Sequence, residues 1–237
     1  MSERGSGWTT GPTGFEDEVP FLSRLEREDR EAILGLGRHI RYAAREVMLR
    51  EHEPSAHVLI VLSGWMKVTS SASNGYEALL ALRGPGDIVG EGAVLSGRPR
   101  SATVTALGEV ETVAVDSERF TALLTDRPAI AMQLLALATD RTRDSDRRRV
   151  QYAALSVQER LAALLLQLAR THGEDTPEGV RLTPGLTQQE LAGSVGASRE
   201  AVARLLKNLR DRGVVHTGRR GLVLVRPEVL RQMTWEG

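Results

Sequence analysis

Cysteine is absent from this chain of 237 residues. Its absence excludes disulfide scaffolds, cysteine nucleophiles, thiolate zinc sites and cysteine-ligated iron–sulfur clusters. The chain also has only three each of Trp, Tyr and Phe, too few for a surface that stacks single-stranded bases. No apolar run approaches the roughly eighteen residues of a membrane span, and the N-terminal sequence MSERGSGWTTGPTG lacks the apolar stretch of a signal peptide. We therefore expect a cytoplasmic protein with no membrane partner.

The chain also has no excess of basic over acidic residues or of acidic over basic ones. The 31 basic and 31 acidic side chains give a net charge of zero, and neutrality by itself argues against a nucleic-acid partner. The distribution of charge reverses that inference. Residues 1–126 carry 13 basic and 19 acidic side chains, whereas residues 187–226 carry eight basic and three acidic ones, a net charge of +5. Positive charge is therefore concentrated in the C-terminal part, where it would attract phosphate groups.

The N-terminal half has the pattern of a small β domain. Residues 1–18 are predicted to be a flexible tail, and residues 21–37 (FLSRLEREDREAILGLG) to form one short amphipathic helix. Short apolar or alternating runs follow, separated by turn signals such as Gly84-Pro85-Gly86. These runs are HVLIVLSGWMKVTS, YEALLALR, SATVTAL and VETVAVD. Short strands at this spacing predict a sandwich or double-sheet roll.

A single long helix is predicted next, because residues 129–155 contain neither Gly nor Pro. One set of its positions follows alternating steps of three and four residues: Leu135, Ala138, Thr142, Ser145, Arg149 and Tyr152. This heptad spacing is typical of a dimer seam, although the second half of the seam is polar. The alternative is a helix that packs on its own domain and exposes a charged face to solvent.

The C-terminal region contains two sequences of the capping-box type, Ser156–Glu159 and Thr187–Glu190, each predicted to begin a helix. Residues 171–185 between these helices are predicted to be a loop with at most one short strand. Gly196 can supply a left-handed turn and Ser198 can cap the next helix. The sequence VVHTGRRGLVLVR then predicts a two-stranded wing. Helix, tight turn, helix and wing together are typical of a DNA-binding domain.

The second helix of this motif is predicted to bury one face and to expose Arg and Glu on the other. The buried positions are Val202, Leu205, Leu206 and Leu209, and the exposed ones are Arg199, Glu200 and Arg204. Arginine can donate a fork of bonds to guanine O6 and N7, and glutamate can accept from cytosine N4. Arg219 and Arg220 at the wing tip suit phosphate contacts. The alternative is an ordinary helical hairpin with solvated charges, which the local net charge of +5 argues against.

A second motif lies in GPGDIVGEGAVLSGRPRSATV. Gly90-Glu91-Gly92 leads into a short helical turn, where small residues let backbone amides converge on an anion. Arg100 can neutralise a phosphate, and Ser101, predicted to open the next strand, adds a hydroxyl donor. Glu91 would repel a phosphate, so it must face another part of a ligand, such as a ribose hydroxyl. The alternative is a surface Arg–Glu pair in a loop.

In this order, the β roll, the Gly-Glu and Arg-Ser segment, the long helix and the winged helix-turn-helix resemble the cyclic-AMP receptor protein/FNR family of bacterial transcription regulators. The resemblance covers about residues 19–233. It implies an α+β fold with an N-terminal cyclic-nucleotide-binding β roll (a jelly roll), a dimerisation helix and a C-terminal winged helix-turn-helix. The expected boundaries are 1–18 for the tail, 19–126 for the β roll, 127–154 for the dimerisation helix and 155–237 for the DNA-binding domain.

The resemblance implies roles for the residues of the first motif. Glu91, preceded by Gly90, would contact the ribose hydroxyl, while Arg100 and Ser101 would hold the cyclic phosphate. The amides near Gly92 and Ala93 would line the same pocket. The implied ligand is cyclic AMP, with no metal.

The family also offers two polar residues of the long helix to the adenine base. An ungapped alignment from Pro128 places Ser145 and Asp146 at these positions. Ser145 fits, since one small hydroxyl replaces another, but Asp146 replaces a neutral side chain. An aspartate could accept from the adenine amine or from guanine N1 and N2, so the identity of the base stays open.

In the DNA-binding domain, Arg199, Glu200 and Arg204 match the family's base-contacting residues. They imply a palindrome close to TGTGA, a six-base gap and TCACA. Gln189, Ser198 and Lys207 match positions that contact the DNA backbone.

We therefore expect a homodimer, joined through residues 127–154, that binds double-stranded DNA under the control of a cyclic nucleotide and works with RNA polymerase. We expect no enzymatic activity, because no nucleophile–base or metal-binding pattern is present in the sequence. Two alternatives remain. The protein could bind DNA with cyclic GMP, a cyclic dinucleotide or no ligand, or it could be a nucleotide-sensing adaptor for a protein partner.

Overall fold

A computed structural model describes residues 19–73, 76–182, 186–218 and 221–235. The predicted tail (residues 1–18) and the predicted wing-tip residues Arg219 and Arg220 lie outside the described residues. The chain divides into two compact units, and the division falls between Asp146 and Arg147, inside the long helix. Within the described ranges, no helix is both long and apolar enough to cross a membrane.

The strands of the N-terminal unit form two four-stranded antiparallel sheets, with strand orders β1-β8-β3-β6 and β2-β7-β4-β5. The strands are β1 (Arg38–Tyr42), β2 (Val47–Leu49), β3 (His57–Ser63), β4 (Met66–Ser71), β5 (Glu77–Arg83), β6 (Ile88–Val89), β7 (Thr103–Ala106) and β8 (Val110–Asp116). The predicted double-sheet architecture is confirmed.

Strand β3 is apolar along nearly its whole length because both faces of its sheet are buried. Successive side chains of a strand point to opposite faces. Val58 and Ile60 therefore join a core formed with the helices, while Leu59 and Val61 join the core that faces the second sheet. Two buried faces, rather than one, explain why HVLIVLS does not alternate with polar residues.

Helices cover the outer face of the first sheet. They are α1 (Arg27–Gly35), α2 (Glu91–Ser96), α3 (Ser117–Asp126) and the start of the long helix α4 (Pro128–Ala154). The prediction of one helix over residues 21–37 was wrong, because residues 21–24 form a separate 3-10 turn that ends before α1 begins. Helix α4 was predicted with nearly these bounds, and its Ile130, Leu134 and Leu137 are buried in the helical core.

The C-terminal unit combines helices with a third antiparallel sheet, of strand order β11-β12-β10-β9. Its elements are α5 (Val157–His172), β9 (Gly173–Thr176), β10 (Gly179–Leu182), α6 (Gln188–Val195), α7 (Arg199–Asp211), β11 (Val215–Gly218), β12 (Gly221–Leu224) and α8 (Pro227–Trp235). The loop predicted over residues 171–185 is instead largely the β9–β10 hairpin. Helix α8 follows the wing and was not predicted. The predicted order of β roll, long helix and winged helix-turn-helix is confirmed.

Both predicted capping boxes are present. In each, the hydroxyl of Ser156 or Thr187 accepts from the backbone amide three residues on, and the glutamate there accepts from the cap's own amide. These bonds satisfy amides that a helix leaves free at its start. The beginnings of α5 and α6 are therefore determined by local sequence.

Candidate functional site

The candidate ligand site of the N-terminal unit is organised around Gly90, which joins β6 to α2. Gly90 has a left-handed conformation, φ 87° and ψ −3°. A Cβ atom at this position would lie 2.4 Å from Nη1 of Arg100. Glycine is therefore required twice, once for the backbone conformation and once to leave room for the guanidinium.

Arg100 is a buried cation, only 4% exposed. Its Nη1 donates to the carbonyl of Gly90 at 2.9 Å and its Nη2 donates to the carbonyl of His57 at 2.5 Å. Among the described residues, no carboxylate forms an ion pair with it. Burial lowers the pKa of the Arg100 guanidinium, an effect that the charge of Glu91 opposes. A buried guanidinium held by neutral carbonyls is stabilised when an anion binds beside it.

His57 contributes its backbone to this site rather than a second positive charge. Its side chain is half-buried, and burial lowers the pKa of the imidazole, with the charge of Arg100 lowering it further. Both effects favour the neutral ring at neutral pH. Arg100 rather than His57 therefore supplies the positive charge beside Gly90.

Glu91 at the start of α2 is paired with Arg141 of α4. Nη1 of Arg141 lies 2.6 Å from Oε1 of Glu91, and Nη2 of Arg141 donates to the carbonyl of Ile88 at 3.0 Å. Sequence reasoning missed Arg141, because its partner is 50 residues away along the chain. The only available signal was its spacing, four residues before the predicted site residue Ser145. This pair ties the Gly-Glu segment to the long helix.

The other predicted ligand residues surround this pair in different environments. Gly92 and Ser101 are exposed and Ala93 is buried. Ser101 precedes β7, which begins at Thr103, so the prediction that Ser101 opens the strand was wrong.

The predicted base contacts lie on α4. Ser145 is one helical turn beyond Arg141 and therefore on the same side of the helix. Asp146 is rotated by about 100° from it and is exposed. Ser145 is thus better placed than Asp146 to share the side of the helix that contacts Glu91.

The helix-turn-helix of the C-terminal unit separates a buried face from an exposed charged face. Val202, Leu206 and Leu209 of α7 are buried, while Leu205 is only partly buried, so its predicted burial was overstated. The predicted base-contacting residues Arg199, Glu200 and Arg204 are exposed.

The turn before α7 is built as the sequence predicts. Gly196 adopts φ 61° and ψ 46°, and the Ser198 hydroxyl accepts from the amide of Ala201 at 3.2 Å. Gln189 and Lys207, the other predicted backbone contacts, are exposed. The amino end of α7 therefore presents a cap, two basic side chains and one acidic side chain to solvent.

The carboxyl end of α7 is held by Arg226, which follows the wing. Nε of Arg226 donates to the carbonyl of Gly213 at 3.1 Å, and its Nη2 donates to the carbonyl of Arg212. These two carbonyls belong to the turn that directly follows α7, and a cation at this end also complements the helix dipole. Arg226, which sequence reasoning did not single out, thus joins α7 to the wing.

The two units match two families of domains. Residues 39–127 match the cyclic nucleotide-binding domain, and residues 159–233 match the Crp-like helix-turn-helix domain. The CRP-like cAMP-activated global transcriptional regulator of Mycobacterium tuberculosis is 36% identical over 163 residues, which are 69% of this chain and 73% of that relative. The chain belongs to the CRP/FNR family of transcription regulators.

Other members of the CRP/FNR family cover more of the chain. The cyclic AMP receptor protein of Thermus thermophilus is 31% identical over 214 residues, which are 89% of this chain and 94% of that relative. Among solved structures, the c-di-GMP responsive global regulator CLP of Xanthomonas campestris superposes with a TM-score of 0.76 at 26% identity, covering 84% of this chain and 99% of CLP. The chain is accordingly a DNA-binding transcription regulator of the cyclic-nucleotide-responsive kind.

Proposed function

We propose that this CRP/FNR regulator is a homodimer controlled by cyclic AMP that binds a palindrome close to TGTGA, a six-base gap and TCACA. The observation that carries the proposal is the buried guanidinium of Arg100, which has only backbone carbonyls as hydrogen-bond partners among the described residues. A cyclic phosphate carries one negative charge and suits this position. No step of the proposal requires catalysis.

The remaining contacts of the ligand follow from the chemistry of the pocket. Ser101 adds a hydroxyl donor for the phosphate, and the backbone near Gly92 and Ala93 adds amides. The carboxylate of Glu91 accepts from the ribose hydroxyl. Because Arg141 already neutralises this carboxylate, the ligand can approach it without facing an uncompensated negative charge.

The base is the least constrained part of the ligand. Ser145 and Asp146 would contact it, and an aspartate accepts equally from the adenine amine and from the guanine N1 and N2 donors. One structural relative is described as c-di-GMP responsive. Cyclic GMP and cyclic dinucleotides are therefore the alternatives that a binding experiment has to include.

On the DNA side, α7 supplies the base contacts. Arg199 and Arg204 would each donate to guanine, and Glu200 would accept from cytosine N4. Contacts with phosphates would come from the cap and the surrounding polar residues: Gln189, Ser198, Lys207, Arg219 and Arg220.

The dimer would form along α4. Met132 and Leu135 are 62% and 60% exposed, on the side of the helix away from the buried Leu134 and Leu137. Burying these side chains against a second copy gives an apolar start to a seam whose second half is polar. Pairing would place two α7 helices about 34 Å apart, one turn of DNA. RNA polymerase is the proposed protein partner of the DNA-bound dimer.

A gel shift with and without nucleotide tests the proposal. A duplex carrying the palindrome is titrated with wild-type protein in the presence of cyclic AMP, cyclic GMP, a cyclic dinucleotide or no nucleotide. We expect a specific shift that cyclic AMP strengthens. Arg100→Ala should abolish this dependence, whereas Arg98→Ala, which removes an exposed charge two residues away, should preserve it.

The other outcomes are equally informative. An identical specific shift in all samples would show DNA binding without a nucleotide signal. A response to another nucleotide would reassign the base. No specific shift under any condition would favour the adaptor alternative, and a normal response of Arg100→Ala would contradict the assignment of the phosphate site.

A further inference from the structure

One arginine of the C-terminal unit bonds the carboxyl ends of two helices. Nη1 of Arg160, in the first turn of α5, donates to the carbonyl of Tyr152 at 3.2 Å and to that of Leu155, at the end of α4. Its Nε donates to the carbonyl of Val195, the last residue of α6, at 2.8 Å. The last carbonyls of a helix have no partner within the helix. Arg160 therefore satisfies such groups on α4 and α6 together.

Tyr152, in the last turn of α4, reinforces the same connection. Its hydroxyl donates to the carbonyl of Ser194 at 2.7 Å. The Arg160 guanidinium carbon lies 5.2 Å from the centre of the Tyr152 ring, within range of a cation–π interaction. We call Tyr152 and Arg160, with the carbonyls that they bond, the α4–α6 junction.

The junction holds the segment that precedes the predicted base-contacting helix. Ser194 and Val195 end α6, Gly196 makes the left-handed turn, and Ser198 caps α7. A Cβ atom on Gly196 would lie 3.7 Å from the Tyr152 ring, so the ring lies close to the turn. The position at which α7 begins is therefore tied to the end of α4 by the four hydrogen bonds of the junction and by the nearby Tyr152 ring.

We propose that Tyr152 and Arg160 are positioning residues that set the orientation of α7 relative to the end of α4 and so determine sequence-specific DNA affinity. The inference rests on the proposed function, since it requires α7 to contact bases. Base contacts depend on angles and distances at each guanine or cytosine. Attraction to phosphates depends mainly on charge. A looser junction therefore weakens specific binding and leaves non-specific binding unchanged.

Two variants that keep the net charge test this inference. Tyr152→Phe keeps the ring and removes the hydroxyl that bonds Ser194. Arg160→Lys keeps the charge but removes the planar fork that bonds several carbonyls together. We expect Tyr152→Phe to weaken binding to the palindrome by about three- to tenfold, with a larger loss for Arg160→Lys. Binding to a scrambled duplex and the affinity for cyclic AMP should not change. Because Tyr152 also falls on the predicted dimer seam, sedimentation velocity should show that both variants remain dimeric when the wild type does.

Matched controls make the same chemical changes elsewhere. Tyr42→Phe removes a hydroxyl in β1 of the N-terminal unit, and Arg170→Lys alters an exposed arginine of α5. Both should bind as the wild type does. A purely structural role for the junction would lower binding to both duplexes in proportion to the unfolded fraction, and that result would overturn the positioning role.

Hydrogen–deuterium exchange tests the same inference without DNA. In Tyr152→Phe we expect faster exchange of the amides of residues 196–199 and unchanged exchange in the β9–β10 hairpin. Unaltered exchange at the turn would overturn the inference. If wild-type protein binds no palindrome, the proposed function fails, and the exchange result alone decides whether the junction holds the turn.

Discussion

Gly90 and Arg100 depend on each other for their arrangement in the candidate ligand site. The left-handed glycine allows the guanidinium to approach within hydrogen-bond distance of its carbonyl, and the guanidinium occupies the space that any Cβ would need. The adjacent Gly92 has open space around a Cβ atom. Gly90 is therefore essential to the geometry of the site, whereas the surroundings of Gly92 would accommodate a larger side chain.

This difference predicts the effects of two alanine substitutions. Gly90→Ala should lower the free energy of unfolding by about 1–2 kcal/mol, because alanine is disfavoured in a left-handed conformation. It should also weaken nucleotide binding, since Arg100 has to move. Gly92→Ala should change stability by less than about 0.5 kcal/mol. Urea unfolding and titration calorimetry measure both quantities. Equal stability losses in the two variants would contradict the conformational penalty at Gly90, and unchanged nucleotide binding by Gly90→Ala would show that Arg100 keeps its position.

Helix α7 combines residues for base contact with residues for phosphate contact. Arg199 lies at its first position, and Lys207 lies two turns further on, where it pairs with Asp211 at 3.1 Å. Both side chains are exposed and basic. They differ in position along the helix, and so in the part of DNA that each is proposed to contact.

Replacing Arg199 and Lys207 separately by alanine should distinguish base contacts from phosphate contacts. Arg199→Ala should cost about 1–3 kcal/mol on the palindrome and relax the preference at one guanine. Lys207→Ala should weaken binding uniformly across sequences and reduce the slope of log affinity against log salt by about one. Selection from a random duplex pool at several salt concentrations measures both effects. An unchanged base preference in Arg199→Ala would contradict direct contact with the base.

The elements that the sequence predicts well are those with strong local signals. The capping boxes at Ser156 and Thr187, the left-handed Gly196 and the apolar strand β3 all follow from a few neighbouring residues. Strand β1 was missed because its sequence, RHIRY, does not alternate clearly between apolar and polar residues. The strand is defined by its pairing with β8, which lies far away along the chain. Strand β6 has two residues and α2 has six, too few for any periodic pattern.

The site shows the same division between local and distant information. Gly90 and Arg100 were assigned to one ligand site because both belong to one motif, and the hydrogen bond between them is a finding of the structure. The Glu91–Arg141 pair, Arg226 at the end of α7 and the α4–α6 junction were not predicted, because each joins residues that are far apart along the chain. Charge alone could not identify the partner of Glu91 among 31 basic residues. The partners of Arg226 and of the junction residues are backbone carbonyls, which every residue carries.

For the whole molecule, the net charge of zero arises because basic and acidic segments offset each other. The segment with the helix-turn-helix and wing carries +5, while residues 1–126 carry six more acidic than basic side chains. An extended polyanion attracts the first and repels the second, so association with DNA is oriented before any base is contacted. The proposed dimer doubles both effects, which makes the oligomeric state a property worth testing directly.

Leu135→Glu should weaken dimer formation by at least about a hundredfold, since two buried leucine side chains contribute about 3 kcal/mol or more. Val47→Glu is the matched control, because it introduces the same charge at an exposed residue of β2. Sedimentation velocity measures the oligomeric state, and the gel shift should change from the full palindrome to a weak half-site complex. A dimeric Leu135→Glu protein would place the interface elsewhere.

The separation of buried and exposed faces on α7 has a consequence for how regulators of this kind diversify. Val202, Leu206 and Leu209 anchor the helix in the core, while Arg199, Glu200 and Arg204 are exposed on its surface. Substitutions at the exposed positions should therefore change stability by only about 0.5 kcal/mol. A duplicated gene could acquire a new set of target promoters through two or three such changes without first acquiring compensating mutations in the fold.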